Sequence, residues 1–256
     1  METTIFYFSG TGNSLAVAKS VAQQLDNCQL KSVAKAMEQE EYKVSSPKVG
    51  FVFPLYYVGI PKIVQEFIKR IELDEAKYIF IVITRGWPIV GGAINQMKHL
   101  LKERGKKLNA GVYIQLPMND ITLLTVAAPN VQAKLFSKAP ERINKIIRII
   151  ERFNKHYDWE PLGFLWPSRN IPFINRVNSE DKYFMADSNC NGCGICAKIC
   201  PVKNIIISDN KPQWSGRCEQ CLACYHFCPQ KAISFNNREN GVQYHHPDIK
   251  LTDFLN

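Results

Sequence analysis

The chain has 256 residues, of which 46% are hydrophobic and 21% charged, with nine cysteines and a formal net charge of +9. That profile belongs to a globular protein of one to two domains and excludes a disordered chain. Apolar runs are short, 78–83 and 88–90 being split by Thr84, Arg85 and Gly86, and none approaches the roughly 18 apolar residues of a membrane span.

The first segment, 4–8, is a β-branched and aromatic run that reads as a buried parallel strand. It stops at Ser9-Gly10-Thr11-Gly12-Asn13-Ser14, after which Leu15, Val17, Ala18, Val21, Ala22 and Leu25 take helical spacing. A weaker strand is expected at about 28–33, with Cys28 as a small buried or half-buried hydrophobe. A strand at 48–53, an amphipathic helix at 62–71, a strand at 78–84, a helix at 93–104 and a strand at 109–116 follow. A long helix at 131–153 closes the series, with Ile143, Ile146, Ile147 and Ile150 facing the core and a basic side facing water. Five strands alternating with helices predict an α/β fold built on a doubly wound five-stranded parallel sheet. Ligands of such sheets bind beyond the carboxyl ends of the strands.

Three loops lie at that edge: 9–14, 54–61 and 84–92. The first, a glycine turn rich in hydroxyls between strand and helix, aims backbone N–H groups and a helix start at an anion. It lacks the Gly-Lys pair of a triphosphate loop and the third glycine of a dinucleotide fingerprint, so a single phosphate suits it best. The other two carry Tyr56, Tyr57 and Trp87, flat side chains able to stack on an aromatic ligand. A monophosphate joined to a flat ring describes flavin mononucleotide (FMN). On Ser9-x-Thr11-Gly12-x-Ser14 directly after the first strand, residues 1–155 resemble the flavodoxin family. The resemblance implies that Ser9, Gly10, Thr11, Gly12, Asn13 and Ser14 hold the flavin phosphate. It also implies that Pro54, Tyr56, Tyr57, Gly59, Thr84, Trp87, Gly91 and Gly92 flank the isoalloxazine.

Charge and cysteines divide the chain. Residues 1–155 hold 22 Lys and Arg against 13 Asp and Glu, residues 156–256 hold 10 against 10, and eight cysteines fall between Cys190 and Cys228. Cys190, Cys193, Cys196 and Cys200, followed by Pro201, have C-x2-C-x2-C-x3-C-P spacing, and Cys218, Cys221, Cys224 and Cys228, followed by Pro229, repeat it. In this spacing three thiolates wrap one iron-sulfur cube and the fourth ligates the other. Cys190, Cys193, Cys196 and Cys228 are therefore assigned to one [4Fe-4S] cluster, and Cys218, Cys221, Cys224 and Cys200 to the second. Structural zinc would ask for two pairs of ligands and disulfides for an oxidising compartment, and both fit the repeat less well. Residues 182–235 resemble the dicluster ferredoxin family, a small α+β domain. His226, inside the second motif, is read as a cover for the cluster, and His245 and His246 as surface residues of a polar tail, 236–256.

Residues 156–181 carry Trp159, Phe164, Trp166 and Phe173, large apolar groups expected to pack between the domains rather than to form a flexible linker. The whole pattern resembles a family of flavodoxin-like/dicluster ferredoxin fusions found mostly in anaerobes and described as electron-transfer proteins. The expected role is electron transfer between FMN and the two clusters, linking low-potential one-electron carriers to a flavin in the cytoplasm. The start, Met1-Glu2-Thr3-Thr4, has no signal-peptide pattern. The expected partner is a redox protein or a small-molecule electron acceptor, with no nucleic acid. The alternatives are a flavin-dependent reductase fed by the clusters and a flavin-free interaction module carrying a ferredoxin.

Overall fold

Alternate residues of the central strands point to opposite faces, and both faces are apolar, which is what a sheet covered by helices on each side requires. A computed structural model describes residues 1–122, 124–236 and 241–255. In it β1 (Thr3–Tyr7) runs into α1 (Asn13–Gln24), β2 (Cys28–Ser32), α2 (Val33–Ala36), β3 (Lys48–Pro54), α3 (Lys62–Arg70), β4 (Tyr78–Arg85), α4 (Ala93–Lys102), β5 (Ala110–Gln115) and α5 (Pro129–Glu151). Ile79, Ile81 and Ile83 of β4 pack toward α3 and α4. Tyr78, Phe80 and Val82 pack on the other side, with Val17 and Val21 of α1 and Ile146 and Ile150 of α5.

The strands follow the order β2-β1-β3-β4-β5-β6, and every pairing in this sheet is parallel. The sheet thus has six strands where alternation predicted five. The sixth, β6, is only His156–Tyr157, paired with Ala110 and Gly111 at the β5 edge, and two residues are too few for any periodicity to register. The order 2-1-3-4-5 places the reversal of winding between β1 and β3, where a doubly wound sheet opens a crevice at its carboxyl edge.

The interdomain segment is itself structured. After a 3-10 turn at Gly163–Leu165, α6 (Trp166–Arg176) packs on the sheet domain, and a second 3-10 stretch, Val177–Tyr183, leads into β7 (Phe184–Ala186). Phe173 of α6 is buried and Trp166 half-buried, whereas Ile171 of α6, Trp159 (80%) and Phe164 (72%) are exposed.

The C-terminal unit adds α7 (Ile195–Ile199), β8 (Ile205–Ser208), β9 (Lys211–Trp214), α8 (Ala223–His226), β10 (Ile233–Phe235) and α9 (Thr252–Leu255). Strands β7 and β10 pair antiparallel, as do β8 and β9. Its core is assembled largely from Cys196, Cys218, Cys224 and Cys228 with Phe184, Leu222, Tyr225, Ile233 and Phe235. A unit this small with thiols as core residues has too little apolar area to hold together by burial alone, and bound metal is the usual remedy. Among the described residues no helix is long and apolar enough to cross a membrane.

Candidate cofactor sites

At the carboxyl edge of the sheet lies a cavity of about 500 Å³. Ser9, Gly10, Thr11, Asn13 and Ser14 form one end, Pro54, Tyr56 and Tyr57 a second wall, and Thr84 and Trp87 a third. The glycine turn works as a nest because Gly12 adopts φ +99°, a left-handed conformation that only glycine takes easily. No side chain caps α1, so its first N–H groups, which have no helical partner, remain for a ligand. Ser9 Oγ accepts from the Gly12 N–H at 3.1 Å, and the Ser14 and Thr84 hydroxyls bond at 2.8 Å. The Asn13 amide is engaged at both ends: Nδ2 donates to the Pro117 carbonyl at 3.1 Å and Oδ1 accepts from the Tyr244 hydroxyl at 2.5 Å. An uncapped helix start beside hydroxyls, with no lysine, fits the phosphate of FMN.

The second wall is a two-residue turn. Tyr56 and Gly59 exchange backbone hydrogen bonds of 2.9 Å, with Tyr57 at φ 46° and Val58 at φ 67°. A β-branched residue there is strained, and the neighbouring segment must hold it. That segment is α6. Phe173 stacks on Tyr57 with ring centroids 4.2 Å apart, and the fully buried Asn170 donates to the carbonyls of Tyr56 at 2.9 Å and Ile60 at 3.3 Å. Asn170 Oδ1 accepts from Gln65 at 3.0 Å and Gln96 at 2.9 Å, and Gln96 in turn accepts from the Ile60 N–H at 2.7 Å.

Four residues expected at the flavin stand behind the wall. Gly12 lies under Ile249 and His246 of the C-terminal tail, Gly59 against Asn170 and Gln96, Gly91 against Tyr113, and Gly92 against the Val58 carbonyl. Other residues line the cavity that sequence reasoning did not select: Pro117, Met118, Asn119 and Asp120 beyond β5, Arg169 of α6, and Gln220, Cys221 and Leu222. The rule that ligands sit past the strand ends would have found the loop after β5. The contributions of α6 and the cysteine loop come from tertiary contact and leave no local signal.

Cys221 ties the two halves together. Its carbonyl oxygen lies 2.1 Å from where a Cβ on Gly10 would stand, so the 9–14 turn and the second cysteine motif are in backbone contact. Tyr56 is on the same seam; burial first, and then the Cys221 thiol, pushes its phenol well up. Glu219, one residue after Cys218, accepts from the Ile63 N–H at 3.1 Å near the start of α3, and burial raises its carboxyl to about 7.

The eight thiols fall into two groups. Cys190, Cys193, Cys196 and Cys228 line one small cavity. Cys221, Cys218 and Cys200 are the strongest electrostatic neighbours of Cys224, ahead of Cys196 of the first group, and are neighbours of one another. Each group thus takes three thiols from one repeat and the last thiol of the other. Backbone N–H groups point at sulfur from Asn204 to Cys200 at 3.3 Å, Gln220 to Cys218 at 3.1 Å and Ala232 to Cys228 at 3.4 Å. Such bonds tune iron-sulfur centres, and with the left-handed Gly192, Gly194, Gln220 and Leu222 they make the loops suited to a cube. Burial pushes the Cys196 thiol up to about 11 and the Cys218 thiol to about 12, so these sulfurs stay protonated at neutral pH unless a metal replaces the proton. Cys193 is exposed, whereas Cys221 and Cys224 face the sheet domain or the core.

The tail departs from its reading as polar with both histidines at the surface. His246 is buried, its ring edge-on to Phe136 with centroids 4.9 Å apart, and its backbone N–H donates to the Thr11 carbonyl at 2.9 Å. The tail folds back over the 9–14 turn, where the His246 backbone bonds Thr11 and its imidazole gains cover and accepts from the Asp248 N–H at 3.3 Å. His245 remains exposed, stacked on Phe227. His226 is buried, and burial pushes it down to about 4.

Two family models match the chain: a flavodoxin domain over residues 4–110 and a 4Fe-4S dicluster domain over residues 189–233. Among solved structures the chain is similar to a candidate flavoprotein from Bacteroides uniformis ATCC 8492, at 16% identity and TM-score 0.36, covering 44% of this chain and 90% of that one. It is also similar to the Trp repressor binding protein of Bacillus subtilis, at 12% identity and TM-score 0.38, covering 57% of this chain and 98% of that one. Rubredoxin oxygen:oxidoreductase from Desulfovibrio gigas aligns at 13% identity and TM-score 0.33, over 59% of this chain and 36% of that one. No curated protein matches the chain.

Proposed function

Because this chain is a fusion of a flavodoxin domain with a 4Fe-4S dicluster ferredoxin domain, whose implied cofactors are FMN and two [4Fe-4S] clusters, we propose that it carries electrons internally, between the clusters and the flavin. The observation that carries this reading is that Cys221 lines the same cavity as Ser9, Gly10, Thr11, Asn13, Ser14, Tyr56 and Trp87. When bound, FMN exchanges one or two electrons and each cluster one.

The chain's own residues do the rest. The N–H groups of the 9–14 turn would hold the phosphate, and Tyr57 and Trp87 would flank the ring. Phe173 and Asn170 hold the Tyr56–Gly59 turn against α6, and contact between Gly10 and Cys221 leaves no room for a side chain between the two loops. Cys200, Cys218, Cys221 and Cys224 would hold the cluster next to the flavin, and Cys190, Cys193, Cys196 and Cys228 the outer one. The exposure of Cys193 supports entry of electrons from a protein partner on that side. Thiols of this kind persist in a reducing compartment, which supports a cytoplasmic carrier working with low-potential one-electron donors.

Anaerobic purification is expected to give about eight irons per chain and one FMN. Reductive titration with a one-electron donor is expected to bleach cluster and flavin absorption in a shared equilibrium. A chain carrying zinc, or clusters that reduce fully while the flavin stays oxidised at every potential, would defeat the reading.

A further inference from the structure

His226 lies between two cysteines of the second motif, Cys224 and Cys228, yet both of its ring nitrogens are engaged away from sulfur. Nε2 bonds the Asn119 carbonyl at 2.9 Å, and Nδ1 accepts from the Tyr244 N–H at 3.1 Å. A nitrogen facing a carbonyl must carry the proton and one facing an N–H must not, so these partners select a single neutral tautomer. Each partner then reaches the phosphate turn with its side chain. Asn119 Nδ2 donates to Thr11 Oγ1, and the Tyr244 hydroxyl donates to Asn13 Oδ1 at 2.5 Å.

Two hydrogen-bonded arms therefore leave one imidazole and end on Thr11 and Asn13, on either side of the left-handed Gly12. Both ends are buried: Thr11, Asn13, Tyr244 and His226 are all shielded from water, where a broken bond is not replaced by solvent. Further bonds fix Tyr244 to the cysteine domain, since Gln243 Nε2 donates to the carbonyls of Tyr225 at 2.7 Å and Cys228 at 2.8 Å.

We propose that His226 is a positioning residue for the flavin phosphate, carrying the order of the cysteine loop into the phosphate turn through Asn119 and Tyr244. The inference rests on the reading of residues 9–14 as the phosphate site. It has two consequences. Preference for phosphorylated over unphosphorylated flavin depends on a residue of the ferredoxin domain. An ordered cysteine loop and a bound phosphate also strengthen each other, because any coupling between two sites is reciprocal.

The test is the ratio of FMN to riboflavin affinity, measured by flavin fluorescence quenching on deflavinated protein that retains its clusters, with iron counted in every sample. Riboflavin shares the ring and lacks the phosphate. Tyr244→Phe removes one arm and keeps the backbone bond to His226. Asn119→Ala removes the other and keeps its carbonyl. Each is expected to lower the ratio of FMN to riboflavin affinity about three- to tenfold, the worth of one buried hydrogen bond; because Asn119 also lines the cavity, its variant is judged by that ratio and not by riboflavin affinity. His226→Phe is expected to match the double variant, and His226→Gln, which can still donate and accept, to recover part of the ratio. If His226→Phe loses iron, the two arm variants decide. A wild-type preference for FMN that survives both arm variants overturns the inference while leaving the phosphate site intact. A wild type that binds both flavins equally overturns the phosphate reading and this inference with it.

Discussion

Replacing Gly10 with alanine tests the seam between the two domains at its tightest point. A Cβ there would stand 2.1 Å from the Cys221 carbonyl oxygen, 2.9 Å from its carbonyl carbon and 3.0 Å from its Cβ. Ordinary carbon–oxygen contact needs a little over 3 Å, so one loop must retreat by about 1 Å, and neither neighbour is a flexible side chain. Overpacking of this kind costs about 1–3 kcal/mol, to be drawn from the phosphate turn, the cysteine loop or both. If the turn moves, FMN affinity falls by about 5- to 150-fold, which is that energy expressed as an equilibrium constant. If the cysteine loop moves, FMN binding survives and flavin–cluster transfer slows. The assay pairs FMN titration of deflavinated protein with flash photoreduction of the flavin-loaded protein. Gly105→Ala is the control, since its φ of +67° carries backbone strain but nothing lies within 4 Å of its added Cβ. A Gly10→Ala protein with wild-type FMN affinity and wild-type transfer rate would refute the contact.

Asn170→Ala strips four partners from a buried network; a thermal or denaturant melt is expected to lose about 2–4 kcal/mol, and a loss under 0.5 kcal/mol would speak against the α6 clamp. Cys200→Ser and Cys228→Ser, whose positions in the motifs are equivalent, are expected to damage different clusters: the first should abolish flavin–cluster transfer, the second should spare it while iron analysis reports one damaged site. Equal effects of the two on transfer would contradict crossed ligation. Burial pushes the Cys28 thiol from 9.0 up to about 11, so its thiolate fraction at pH 8 falls by about a hundredfold. Its alkylation in the anaerobic holoprotein, followed by mass spectrometry, should lag a free thiol by tenfold or more; modification at the free-thiol rate would refute its burial.

What could be read from the sequence is what lies contiguous along it. Strand, glycine turn and helix at 4–25 are adjacent, so their periodicities and the Ser9–Ser14 spacing mark the uncapped turn without tertiary information. Both cysteine quartets are likewise local, and even their crossed grouping follows from the known reach of the fourth thiol. The rest is assembled from distant positions. The His226 arms join residues 11, 13, 119, 226 and 244, and no spacing rule links them. His246 reads as polar because sequence pattern cannot tell that the tail returns over Gly12. Trp159 and Phe164 show the converse: apolar character announces a need for burial, but Glu160 between them is what docks, accepting from the Ile94 N–H at 2.9 Å and the Asn95 N–H at 3.1 Å at the start of α4. That contact leaves the two rings outside.

The central claim is that flavin and inner cluster share one cavity within one chain. It is tested most directly by flash photoreduction of the flavin in the anaerobic holoprotein, with re-oxidation followed at cluster wavelengths over a hundredfold range of protein concentration. A first-order rate that does not change with concentration, and that disappears in Cys200→Ser, is the expected result. A rate that rises in proportion to protein concentration would mean that electrons cross between molecules, and would contradict the claim.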